Sequence, residues 1–144
     1  MADDDENKVV QWLAQWEDRI ASQDFQAARE LFDLAAIGFG TVAPRANGLD
    51  DLVERQWRVV WTRNQRFRFL PETLVVWADG SLLVAAVQWQ SVATASDTGE
   101  PYCRDGRATI VLRETDCGVR ALHTHFSISP VPERFLPYSD SEGG

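Results

Sequence analysis

The stretch "RATIVLRETDCGVRALHTHFSIS", Arg107–Ser129, holds two runs rich in β-forming residues on either side of "TDCG". Such runs predict two β-strands, and the short polar, glycine-containing segment between them predicts a tight turn. The pattern extends upstream. "RFRFL" and "TLVVWA" are β-rich, "ADGS" is a turn, "LLVAAVQWQSVAT" is a long strand and "SDTGEP" is a loop. Pro130, Pro132 and Pro137 end regular pairing and begin a tail.

Ahead of Arg63 the spacing is helical. Val9, Leu13, Trp16 and Ile20 share one face of a helix over Asp5–Ser22. Asp24 reads as the N-cap of a second, short helix, "FQAARELF", with Phe25, Ala28, Leu31 and Phe32 on its buried side. "AAIGFGTVA" reads as a short strand in which Gly38 and Gly40 mark a bend or a close backbone approach. Leu49, Val53, Trp57, Val60 and Trp61 define a third helix over Leu49–Arg63, with Asp50 or Asp51 at its N-terminus. Helices first and a meandering antiparallel sheet second is the α+β pattern. The expected organisation is a disordered acidic start at 1–4, one domain over 5–130, and a Pro-rich, acidic tail at 131–144.

Composition narrows the function classes. Hydrophobic residues make up 44% of the 144 and charged residues 25%, the balance of an ordinary globular domain. The formal net charge of −8 opposes binding to nucleic acid or to an anionic membrane. No apolar run reaches spanning length, and "MADDDENK" lacks the basic-then-apolar pattern of a signal peptide, so a cytoplasmic location is expected. Cys103 and Cys117 form no C-x-x-C pair and read as free thiols. Six tryptophans supply large apolar surface, suited to a core or to the wall of a cavity for flat ligands.

Three helices, a short strand before the third, and then long antiparallel strands resemble the cone-shaped fold of the nuclear transport factor 2-like superfamily. That superfamily includes ketosteroid isomerase, scytalone dehydratase, limonene epoxide hydrolase and the SnoaL polyketide cyclases. "RATIVLRE", "TDCG" and "HTHFS" are similar to the last strands of a SnoaL-like group related to the association domain of calcium/calmodulin-dependent kinase. "GLDDLVERQW" resembles that group's third helix. The resemblance implies three N-terminal helices packed on a strongly curved antiparallel sheet that forms a cone with a pocket.

"RALH", Arg120–His123, resembles "RALF" in ketosteroid isomerase, whose Phe lines the cavity. That comparison, with simple alternation, turns His123 inward and puts His125 nearer the mouth or the dimer edge. His123 is then the candidate catalytic residue: an imidazole on a pocket wall is either a proton carrier or a hydrogen-bonded part of the wall. His125, Trp57, Trp61, Trp89 and Arg107 are the candidate binding residues. The tryptophans either wall the pocket or pack the core. Arg107 lies in the strand where the kinase association domain carries cavity arginines that hold a carboxylate. His-x-His supplies only two metal ligands and nothing fixes a third, so no metal and no cofactor is expected. Steroid isomerisation calls for a tyrosine beside an Asp base, and Tyr102 and Tyr138 are not placed for it.

The expected function is binding of a small apolar ligand, with isomerase, lyase or cyclase chemistry on a carbonyl compound if catalytic. The alternative is a non-catalytic association module. The same facing puts Ile110, Leu112, Leu122 and Phe126 on the outer face of the sheet, where they would form the interface of a homodimer.

Overall fold

The computed structural model describes residues 2–130; the expected tail at 131–144 lies outside the described residues. Helix α1 runs Ala2–Ser22 and α2 runs Phe25–Arg29. Strand β1 is Phe32–Phe39 and β2 is Ala46–Asn47. Helix α3 is built from three consecutive segments, Leu49–Asp51, Leu52–Trp57 and Arg58–Trp61. Four long strands follow: β3 Asn64–Asp79, β4 Leu82–Thr94, β5 Pro101–Thr115 and β6 Gly118–Ile128. The six strands form one sheet in the order β2-β1-β6-β5-β4-β3. Three helices packed on this sheet are the α+β architecture expected from the change of spacing at Arg63. No helix among the described residues is long and apolar enough to cross a membrane.

The boundaries depart from expectation in four places. Residues 2–4, expected as a disordered start, are already helical. The second helix stops at Arg29, and Phe32, expected on its buried side, instead opens β1, almost fully buried. β1 lies parallel to β6, so the sheet is mixed rather than wholly antiparallel. β5 starts at Pro101, five residues before the expected start at Gly106. Pro101 fits because it is the first residue of the strand, a position where the missing N–H matters least.

The α1 stripe packs as its spacing requires. Val9, Leu13, Trp16 and Ile20 are buried, and Trp12 joins them, donating its indole N–H to the Leu31 carbonyl at 3.0 Å. Asp24 caps α2 by accepting from the Ala27 backbone N–H. At α3 the cap is Gly48 rather than an aspartate. Asp51 accepts from the Asn47 backbone N–H at 2.9 Å, and that bond, with Arg55 adding to it, holds its carboxyl below the ordinary range.

The facing of β6 is where simple alternation fails. Leu112 pairs with Ala121 and Val111 pairs with His123, so Leu122 is an extra residue in β6. A bulge of this kind reverses the in–out parity beyond it. Ala121 faces the core ahead of the bulge, while Thr124 and Phe126 face inward beyond it. His123 and His125 are carried to the outer face. The expected dimer patch is redistributed for the same reason. Ile110 and Leu112 are completely buried in the core and Phe126 lines the interior. The outer face carries two apolar rows instead. Trp77, Val84, Val111, His123 and Ile37 form one, and Val75, Ala86, Thr109, His125 and Phe39 form the other.

Candidate ligand site

Between α1, α3 and the inner face of the sheet lies a slot of about 50 Å³. Trp16, Trp57, Trp61, Trp89, Phe67 and Phe126 are the aromatic part of its wall. The rings interlock: Trp57 stacks on Trp61 with centroids 4.8 Å apart, and Trp89 lies 5.9 Å from Phe126.

The third helix reaches this wall through an unusual winding. Leu49, Val53, Trp57 and Trp61 are four residues apart, and on an α-helix such a row drifts by about 40° per step. A π-helical segment over Leu52–Trp57 takes up the drift, and Leu52, Val53, Gln56 and Trp57 are all buried. Gly40 makes room for the result, since a Cβ there would meet the Gln56 carboxamide at 1.8 Å. At Gly106 a Cβ would meet the Trp89 ring at 2.5 Å and the Ser127 carbonyl at 2.0 Å, so glycine is what lets Trp89 lie across β5.

Three side chains that line the slot carry donors without partners. Trp16 Nε1, Gln56 Nε2 and Trp89 Nε1 are buried donors with no hydrogen-bond partner among the described residues. Arg104 adds a guanidinium. It donates to Asn64 Oδ1 and to Thr41 Oγ1, each at 3.0 Å, and sits 5.7 Å from the Trp89 ring centroid. Ser91 also donates to Asn64 Oδ1, so that oxygen is already engaged. Among the described residues, no Asp, Glu or His lines the slot.

An open vestibule of about 570 Å³ lies next to the slot; Val60, Asn64 and Arg104 line both. Arg104 therefore borders both. The vestibule wall continues with Val42, Val59, Arg63, Ala93, Tyr102 and neighbouring polar side chains.

The structure gathers three of the expected binding residues, Trp57, Trp61 and Trp89, around one slot. It sets the others apart. Arg107 is exposed and donates to Ser127 Oγ at 3.3 Å on the outer face. His123 Nδ1 lies 2.7 Å from the Ile37 carbonyl oxygen, and since a carbonyl only accepts, Nδ1 carries the proton. Phe39 packs edge-on against both histidines, 4.9 Å from His123 and 5.4 Å from His125. The expected inward turn of His123 is thus corrected by the Leu122 bulge, which leaves the imidazole as a tie between β6 and β1. Replacing His123 with Ala is expected to cost about 1 kcal/mol of stability and to leave binding in the slot unchanged. Chemical denaturation beside a ligand titration checks both; a lost binding signal with an intact fold would contradict this placement.

Arg104 is the residue that the sequence reading missed. Its signal was present: Leu112, Ile110, Ala108 and Gly106 are alternate buried residues, and the same period carried back reaches Arg104 and not Arg107.

Comparison with known proteins agrees with this geometry at the level of the fold. The SnoaL-like domain family matches residues 9–132. A nuclear transport factor 2-like superfamily protein from Salmonella enterica superimposes with a TM-score of 0.80 at 16% identity, covering 96% of this chain and 100% of that one. A ketosteroid isomerase-like protein from Erwinia carotovora gives 0.70 at 16% identity, covering 86% and 96%. A nuclear transport factor 2-like protein of unknown function from Pseudomonas putida gives 0.71 at 17% identity, covering 92% and 96%. No curated protein matches the chain.

Proposed function

The chain belongs to the SnoaL-like domain family, and from that premise we propose that it binds a small organic acid, with the carboxylate in the slot and the body in the vestibule. The observation that carries this reading is the set of donors along the slot. Trp16, Gln56 and Trp89 bring unpaired buried N–H groups, Arg104 brings a charge, and the side-chain oxygens that line it among the described residues are the carbonyls of Asn64 and Gln56 and the hydroxyls of Thr41 and Ser91. Burying a donor without a partner costs about 1–3 kcal/mol, and a ligand oxygen that reaches one of these groups would offset that cost.

Size supports the same division. The slot, at about 50 Å³, is far smaller than the usual ligand site, so it suits an end group such as a carboxylate rather than a whole ligand. The vestibule, at about 570 Å³, falls within the usual range of ligand sites, roughly 300–1,000 Å³. Among the described residues no imidazole or carboxylate lines the slot, and the proposal is limited to binding.

Tryptophan fluorescence tests it, because four of the six tryptophans line the slot. Titration with 4-phenylbutyrate is expected to give a saturable change, and the isosteric 4-phenylbutanamide a much weaker one. Equal responses, or none to the acid, would remove the proposal.

A second reading, an association module, is favoured by the outer sheet face. There Trp77 is 57% and Val75 48% exposed, beside Val84, Ala86 and Val111. An apolar face of this kind is suited to a homodimer through the sheet. Light scattering at micromolar concentration is expected to give a dimer mass for the native chain and a monomer mass for Trp77→Glu. A native monomer would exclude this interface. The two readings are compatible, since they use opposite faces of the same sheet.

A further inference from the structure

The vestibule has a charge pattern that the carboxylate slot does not use. The chain carries 22 acidic against 14 basic residues, yet among the described residues neither Asp nor Glu lines the vestibule, while Arg63 and Arg104 both do. Two arginines of α3 itself are neutralised: Arg55 pairs with Asp51 at 3.3 Å and Arg58 with Glu54 at 2.9 Å. Arg63, the next arginine along, pairs with no carboxylate among the described residues. Tyr102, half exposed, adds a phenol to the same wall.

Resting on the organic-acid reading above, we infer that the ligand carries a second anionic group at the end remote from its buried carboxylate, and that Arg63 receives it. One ligand then spans both chambers. Its head carboxylate meets Arg104 and the buried N–H donors, its body lies along Val59, Val60 and Ala93, and its far anion meets the exposed guanidinium. An acidic protein repels a dianion at long range, so a local exception at the mouth of its cavity selects for that class of ligand. Because Arg63 is exposed, its share is modest and weakens as salt is added.

The test uses a matched pair, 4-(4-carboxyphenyl)butanoate and its 4-carbamoyl analogue, which differ only in the charge of the far group. At low ionic strength the dianion is expected to bind about fivefold more tightly. The ratio is expected to fall to about one in Arg63→Gln and to persist in Arg68→Gln, which removes the same net charge at an exposed position outside both chambers. A ratio near one in the native protein, or one retained in Arg63→Gln, would overturn the inference while leaving the carboxylate slot standing. Failure of both compounds to bind would overturn the slot together with it.

Discussion

Arg104→Gln is expected to raise the dissociation constant for 4-phenylbutyrate about thirtyfold, the equivalent of roughly 2 kcal/mol for a charge-assisted hydrogen bond in a half-buried setting. The size of the effect follows from where Arg104 stands. It borders both slot and vestibule and is held by Asn64 on β3 and by Thr41 beyond β1, and both bonds are to neutral oxygens. No carboxylate of the described residues forms an ion pair with it. Its charge is therefore available to a ligand anion. Arg104→Lys separates charge from shape. An ammonium keeps the attraction but cannot hold Asn64, Thr41 and a carboxylate in one plane, so an intermediate loss is expected. Isothermal titration with all three proteins, beside their melting curves, distinguishes lost recognition from lost structure. An Arg104→Gln protein that binds the acid as tightly as the native one would sink the proposed site.

The same residue shows what could and could not be read from the chain. The helices and strands announced themselves through apolar spacing, because burial of one face is what each element needs from its sequence. The side of the sheet on which a residue falls is a different kind of information. It depends on counting from a fixed point, and one inserted residue reverses the count. Leu122 is such an insertion, and nothing in "RALHTHF" marks it, since the residue on each side of the bulge is compatible with either face. Its consequence is the transfer of His123 and His125 from the expected wall to the outer face. β5 shows the opposite case. Its alternation is unbroken from Arg104 to Leu112, and only the proline at its start and the unpromising "PYCRD" hid the five residues that bring Arg104 to the slot. The tryptophans Trp57, Trp61 and Trp89 were legible as wall or core, and the structure makes them both. The orphaned N–H groups of Trp16 and Gln56 were not legible, because being unpaired is a property of packing in three dimensions.

Trp57→Ala is expected to destabilise the fold by about 3–5 kcal/mol, the usual range for emptying a buried aromatic site. Trp57 is only 2% exposed and stands at the centre of the aromatic cluster, with Phe32 and Trp61 each 4.8 Å away and Trp16 at 6.2 Å. It also rests on the π-wound segment, whose rows of buried side chains cannot readily close around a vacancy without rewinding the helix. Urea denaturation gives the loss directly, and a value under 1 kcal/mol would mean that the cluster is not the core of this domain. The vacancy joins the slot, so the variant should also acquire room for a ring. Added indole is then expected to restore part of the lost stability in proportion to its occupancy, since a ligand that binds only the folded state stabilises it by mass action. Trp57→Phe provides the counterpart, with a smaller loss and a weaker response to indole. If the three proteins differ in stability but none responds to indole, Trp57 packs the core without bordering the slot. If the response tracks the volume removed, one side chain serves both, and the small size of the native slot is set by the same ring that holds the helices to the sheet.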